Sequence, residues 1–415
     1  MQKKIGILLF CLSVYFLYHS LTSIVAFQWN NMSTASDSTF TMKENIAYSA
    51  KELGCKATSS SPSSMYAGAY CVMDADSGRI LLGKDADKKL PMASTTKIMT
   101  CILALENGNL SDLVTVSSYA STMPDVQLNI REDEQYTLKD LLYSLMLESH
   151  NDTAVAIAEH LGGSVEGFAE MMNEKAMELG CTSTSFVTPN GLDHEEHYTT
   201  AAELCMIAAY AIQNPDFLEI IQTPNYSFCD STGARSFSVT NHDAFLTQYE
   251  GAIGIKTGFT NDAGYCFCGA AVKDDETLVS AVLACGWPPN KSYKWADTKK
   301  LMDYGFEAFE NTTVPLCQEE LLLPVEEGQQ KELILKREEA QTLTLPLTST
   351  DEISIVRELP QKIKAPVRAG DIIGYEVYAV NGNTYLEIPL IAQNDVAVLD
   401  YSYWMKQLSR LFLGS

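Results

Sequence analysis

The chain is 415 residues long, 46% hydrophobic and 20% charged, with a formal net charge of −24 at neutral pH. Such a length holds one large hydrophobic core and a second, smaller one, at roughly 100–200 residues per domain. No basic cluster interrupts the acidic background, which argues against nucleic acid or another polyanion as a partner.

The N-terminus, Met1-Gln2-Lys3-Lys4 and then an apolar run from Ile5 to Tyr18, has the charged and hydrophobic regions of an export signal, with cleavage expected after Ala26. An uncleaved anchor is the alternative, but the run is shorter than the ~20 residues that cross a bilayer. The expected location is the extracytoplasmic face of the cell membrane or the cell wall. Residues 27–62 read as a polar extension, serine-rich from Ser59 to Ser64, with room for a short helix. The eleven cysteines are scattered, and the domains are too large to need disulfide staples, so most are expected as buried apolar residues. Cys266 and Cys268 alternate on a predicted strand, a spacing that suits neither a mutual disulfide nor a zinc knuckle.

From Tyr70 a strand pair folds about Asp76-Ser77-Gly78 and leads to Ser94-Thr95-Thr96-Lys97. Ile98, Met99, Cys101, Ile102, Leu103 and Leu105 follow with helical spacing and predict a helix buried almost all round, with Ser94 and Lys97 together on its first turn. A serine hydroxyl attacks an acyl group only as a neighbouring base takes its proton. Lysine serves when burial and nearby positive charge hold it neutral. The unpaired N–H groups of a helix start suit the oxyanion formed on attack. Alone the pattern is weak, because so short a motif recurs by chance.

Ser149-His150-Asn151 lies between the apolar helical stretches Leu138 to Leu147 and Ala154 to Leu161, and reads as a polar loop that aims its side chains. His150 has two readings, a solvent-facing loop residue or a participant in proton transfer, and the first is expected. His194-Glu195-Glu196-His197 has the wrong spacing for a His-Glu-x-x-His zinc site and follows a Pro189-Asn190-Gly191 turn, so a loop bordering the site is expected rather than a metal centre. Helices dominate to about Ile212, and strands return near Ser236–Thr240, Ala252–Lys256, Tyr265–Val272 and Leu278–Ala284. Lys256-Thr257-Gly258 closes the second of these, with Gly254 marking a close approach to the backbone. The order strand, helices, strands predicts an α+β fold with helices set against an antiparallel sheet.

Residues 307–397 change to short strand-like runs, with Tyr375–Val380 and Thr384–Leu390 paired across the hairpin signal Asn381-Gly382, and predict a small all-β domain. In residues 398–415, Tyr401, Trp404, Met405, Leu408, Leu411 and Phe412 form one helical stripe. The stripe fits a helix lying in a membrane surface or one packed on its own protein.

The three triplets, in this order, resemble the signature of penicillin-binding proteins and class A β-lactamases. Within that group the chain is similar to the low-molecular-mass D-alanyl-D-alanine carboxypeptidases, serine peptidases that trim peptidoglycan stem peptides. Val72-Met73-Asp74-Ala75-Asp76-Ser77-Gly78-Arg79, Pro189-Asn190-Gly191-Leu192, His197-Tyr198-Thr199-Thr200-Ala201 and Gly254-Ile255-Lys256-Thr257-Gly258-Phe259-Thr260 extend the likeness across residues 63–306. It implies Ser94 as acylated nucleophile, Lys97 as its base, and Ser149 with Asn151 as proton-relay and substrate-positioning pair. It further implies Lys256, Thr257 and Gly258 as the substrate-binding strand, a cationic Lys256 meeting the peptide's free carboxylate. The backbone N–H groups of Ser94 and Phe259 would form the oxyanion hole, with no metal and no cofactor. Peptidoglycan stem peptides are the implied substrates, β-lactam antibiotics the inhibitors, and the membrane surface a partner through the C-terminal helix. The middle position held by His150 is often small in these enzymes. A β-lactamase is one competing reading, but it needs a general base on the loop after the second motif, and Ser185 to Leu192 has no acid before Asp193. A non-catalytic wall-binding protein of the same fold is the other, and intact Ser94, Lys97 and Lys256 speak against it.

Overall fold

The structure is a computed structural model and describes residues 41–58, 62, 64–337 and 342–413. The chain divides into two compact units, one of residues 59–308 and one that joins the segment before it to the chain from Phe309 onward.

In the first unit an antiparallel sheet of five strands runs in the order Ile80–Lys84, Ala69–Asp74, Glu276–Leu283, Gly264–Lys273, Ala252–Thr260. Alternation along the strands sorts two faces. Val72 and Leu278 meet the helix Tyr293–Ala308, packed so closely that a Cβ on Gly305 would stand 2.4 Å from Leu278 Cδ1. Cys71, Met73, Val279 and Ala281 face a larger apolar core built with the helices Lys97–Asn107, Leu138–Leu147, Asn151–Gly162, Val165–Glu178 and Ala201–Ala211. Three of these helices start where a hydroxyl supplies the missing acceptor: Thr137, Ser164 and Thr200 each take a backbone N–H of the first turn. The helix Lys97–Asn107 is buried from Lys97 through Ala104, so the turn that carries Ser94 is anchored in the core rather than on a loop. The fold is of the α+β class expected.

The second unit holds a sheet of seven strands in the order Thr41–Ser49, Glu352–Leu359, Ile372–Val380, Asn383–Ala392, Glu332–Arg337, Leu321–Glu326, Ile363–Lys364. Its hairpin turns at Asn381 and Gly382, with φ of 51° and 83°, the left-handed pair such a turn requires. The strand Thr41–Ser49 departs from the polar extension expected of residues 27–62. It pairs antiparallel with Glu352–Leu359, and Ile46 and Tyr48 pack on the core of Ile353, Ile355 and Tyr378. The apolar residues of this segment are mixed with Lys43, Glu44 and Asn45 and give no clean alternation to signal a strand, and the partner strand lies some three hundred residues away. The export signal, residues 27–40 and most of the serine run lie outside the described residues.

All ten cysteines from Cys55 onward are free thiols, eight of them buried. The helix Tyr401–Leu413 carries Tyr401, Trp404, Met405, Leu408, Leu411 and Phe412 exposed. Among the described residues no helix is long and apolar enough to cross a membrane.

Candidate active site

Ser94 stands in a 3-10 turn, Ala93–Thr96, that runs into the helix Lys97–Asn107, so the first turn is wound tighter than the α-helix expected. Ala93 has a φ of 47°. The turn is fastened from several sides. Thr95 Oγ1 donates to Met92 O at 2.6 Å, Thr96 Oγ1 donates to Ala93 O at 2.9 Å, and His197 Nε2 lies 2.7 Å from Thr96 Oγ1. His197 Nδ1 accepts from Val187 N at 3.0 Å, which puts the ring proton on Nε2, and burial lowers its pKa to about 4. This histidine, expected to shape a border loop, braces the turn that carries Ser94. The loop itself, with Lys89, Asp193 and Asp262, lines a cavity of about 490 Å³.

Lys97 is fully buried, its Nζ 3.0 Å from Ser94 Oγ, 2.8 Å from Asn151 Oδ1 and 2.7 Å from Asn190 O. A neutral amine has two N–H bonds and one lone pair. The two carbonyl oxygens accept the N–H bonds, which leaves the lone pair for the Ser94 hydroxyl to donate to. Burial first, and then the nearby Lys256, hold Lys97 well below the ordinary lysine range, while Asp152 opposes them. Asn190 acts through its backbone, so its side-chain chemistry gave no sign of the role; the Pro189-Asn190-Gly191 turn was the available signal. Gly191, with φ of 84°, lies so close to the nucleophile turn that a Cβ there would stand 2.0 Å from Ala93 O.

Asn151 opens the helix Asn151–Gly162, and its Nδ2 donates to Pro124 O at 3.1 Å, which turns Oδ1 toward Lys97. Ser149 has a φ of 70°, a sparsely populated conformation of the kind that gathers at functional sites. Its Oγ is buried without a hydrogen-bond partner among the described residues. His150 is not the solvent-facing residue expected. It is 4% exposed, with Nδ1 2.7 Å from Ser144 Oγ and Nε2 3.2 Å from Glu148 Oε2. Burial, then the Lys97 charge, lower its pKa to about 4, so the neutral ring donates to Glu148 and accepts from Ser144. A loop clamped between two buried helices has no solvent side, and the imidazole ties the Ser149 turn to the helix before it.

Lys256-Thr257-Gly258 lies within the strand Ala252–Thr260, at the free edge of the sheet. Lys256 and Gly258 share the buried face, and Thr257 and Phe259 the more open one, so a single anion meets Lys256 and Thr257 together only at the strand edge. A Cβ on Gly258 would stand 2.9 Å from Ser94 N and 3.0 Å from Ala93 Cβ. The strand and the Ala93–Thr96 turn therefore pack closely together, with Phe259 the next residue along. Gly258→Ala should force them apart and lower kcat/KM by about 10²-fold, the cost of misplacing a reacting group by about 1 Å; steady-state kinetics checks this. Lys256 is 2% exposed and donates to Thr257 O at 3.3 Å. Burial pulls its pKa down to about 7, opposed by Asp243 and reinforced by Lys294. The permanent cation expected is thus a group that titrates near neutrality, because the strand withdraws it from water.

Ser94, Lys97, Asn151 and Gly258 thus meet at one place, with Ser149 beside them and Lys256 close enough to act on Lys97. Among the described residues no group of three or more His, Cys, Asp or Glu could hold a metal ion.

A family model described as D-alanyl-D-alanine carboxypeptidase matches residues 56–286, and one described as penicillin-binding protein 5, C-terminal domain, matches residues 311–398. The D-alanyl-D-alanine carboxypeptidase DacF of Bacillus subtilis is 30% identical over 346 residues, which is 81% of this chain and 87% of that protein. Among solved structures, penicillin binding protein 5 from Haemophilus influenzae is similar with a TM-score of 0.66 and 29% identity, over 81% of this chain and 99% of that one. The Streptomyces K15 DD-transpeptidase is similar with a TM-score of 0.56 and 31% identity, over 60% of this chain and 99% of that one. The chain belongs to the D-alanyl-D-alanine carboxypeptidase family of serine peptidases and carries the C-terminal domain of the penicillin-binding protein 5 type.

Proposed function

We propose that the protein is an exported D-Ala-D-Ala carboxypeptidase that removes the terminal D-alanine from peptidoglycan stem pentapeptides through an acyl-enzyme on Ser94. The observation that carries this reading is the Lys97 amine, buried, 3.0 Å from Ser94 Oγ and donating to the carbonyl oxygens of Asn151 and Asn190. As Ser94 Oγ bonds to the carbonyl carbon of the penultimate D-alanine, its proton passes to Lys97 Nζ. Negative charge then develops on the carbonyl oxygen, facing the N–H groups of Ser94 and Phe259. Collapse breaks the C–N bond, and the leaving amine takes a proton by way of Ser149, whose buried hydroxyl has no other partner among the described residues. Water then attacks the ester, gives a proton back through Lys97, and frees the shortened stem. Lys256 in its cationic form binds the terminal carboxylate at the strand edge. Penicillins acylate the same serine.

D-alanine release from a pentapeptide stem, together with labelling by a fluorescent penicillin, tests this reading. Release with long-lived labelling is expected. Rapid turnover of the penicillin would make the protein a β-lactamase, and absence of both would make it a non-catalytic wall-binding protein. The charged and apolar start of the chain supports export, and the exposed apolar stripe of Tyr401–Leu413 supports attachment to a membrane surface. Deletion of residues 399–415 should move the protein from the membrane pellet to the supernatant on centrifugation. Sedimentation unchanged by the deletion would remove the helix from that role.

A further inference from the structure

Two other ionisable groups act on Lys256, Asp243 on its own face of the sheet and Lys294 from the helix packed on the opposite face. Gly254 and Lys256 are alternate residues of one strand and present the same face. Over that face lies the Asp243 carboxylate, with Oδ2 3.6 Å from where a Cβ on Gly254 would stand. Asp243 Oδ1 accepts from Phe245 N at 2.9 Å, whereas Oδ2 is buried without a hydrogen-bond partner among the described residues. Lys294, 3% exposed, enters from the helix Tyr293–Ala308 with its Nζ 5.1 Å from the Tyr265 ring centre and 4.8 Å from that of Trp295. A buried carboxylate needs a cation, and two buried lysines repel each other. With all three ionised the cluster carries one positive charge in excess, and one arriving carboxylate cancels it.

We propose that Asp243 is a positioning residue for substrate binding: its carboxylate keeps Lys256 cationic beneath the strand edge until the C-terminal carboxylate of the peptide completes the charge balance. The inference rests on the reading that Lys256 receives that carboxylate. Other groups facing Lys256 do not supply the countercharge. Lys97 and His150 are both held toward their neutral forms by burial, the Cys268 thiol on the neighbouring strand is pushed up by burial, and Lys294 opposes. Burial also raises Asp243 to about 6, so the pair is ionised together only in a window close to neutrality.

The test compares kcat/KM across pH for a stem peptide with a free C-terminal carboxylate and for its amide, in the full-length protein and in Asp243→Asn, Asp243→Glu and Lys256→Gln. Asp243→Asn should raise KM for the free acid about tenfold above neutral pH, the effect of about one pKa unit. It should move the alkaline fall of kcat/KM to lower pH, change kcat little, and leave the amide unaffected. Asp243→Glu keeps the charge and should keep the alkaline limb. The inference is overturned if Asp243→Asn leaves KM and the limb in place while Lys256→Gln abolishes the preference for the acid. It is also overturned if the amide loses as much as the acid, or if Asp243→Glu loses the limb while still labelled by penicillin at the native rate. Retention of the acid preference in Lys256→Gln would instead overturn the role of Lys256 itself, and the inference with it.

Discussion

Ser94→Ala should abolish both D-alanine release and covalent labelling by penicillin, a loss of about 10⁶-fold in kcat, as when the nucleophile of another serine hydrolase is removed. The fold should survive the change. The Ala93–Thr96 turn is held by Thr95, Thr96 and His197, and among the described residues the only side-chain hydrogen bond lost is the one to Lys97, which keeps Asn151 and Asn190 as partners. An unchanged melting temperature with no label in the mass spectrum of the intact chain is the expected pair of results. Label persisting on Ser149, whose Oγ is buried beside Asn151, would move the nucleophile there.

Lys97→Met should lower kcat by about 10²–10⁴-fold at neutral pH, the usual contribution of a general base. Methionine fills similar space but offers no lone pair of comparable basicity. The pH profile separates this loss from a packing defect. Because burial depresses the folded-state pKa of Lys97 well below 10.5, the native enzyme gains activity as pH rises through that lowered value. Activity on peptides with a free carboxylate should fall again as Lys256 deprotonates above about 7. The native kcat/KM profile is therefore bell-shaped, and Lys97→Met should lose the acidic limb while retaining the alkaline one. A surviving acidic limb of native shape would assign the base to another group.

Part of this chemistry was legible before any coordinates. Two residues three apart at a helix start lie on one face, so the contact of Ser94 with Lys97 followed from spacing once the two later motifs had marked the segment as a site. The hairpin at Asn381-Gly382 was legible for the same reason, since its dihedral angles are a local property of those two residues. His150 and His197 were not, because a histidine looks alike in sequence whether it faces water or stands between two helices. Asn190 escaped notice because it contributes a carbonyl that every residue possesses. The strand Thr41–Ser49 finds its partner only after the whole chain has folded.

The amino-acid order by itself determined which groups are available and which neighbours along the chain share a face: a hydroxyl, an amine, a turn that aims an amide, and a strand carrying Lys256, Thr257 and Gly258 in succession. The tertiary structure decided their charges. Whether Lys97 is a base, whether Lys256 is a cation, and whether Asp243 is its counterion all depend on how much water surrounds each group and which charges lie beside it. Burial and Coulomb interaction act through space, between groups that are not neighbours along the chain.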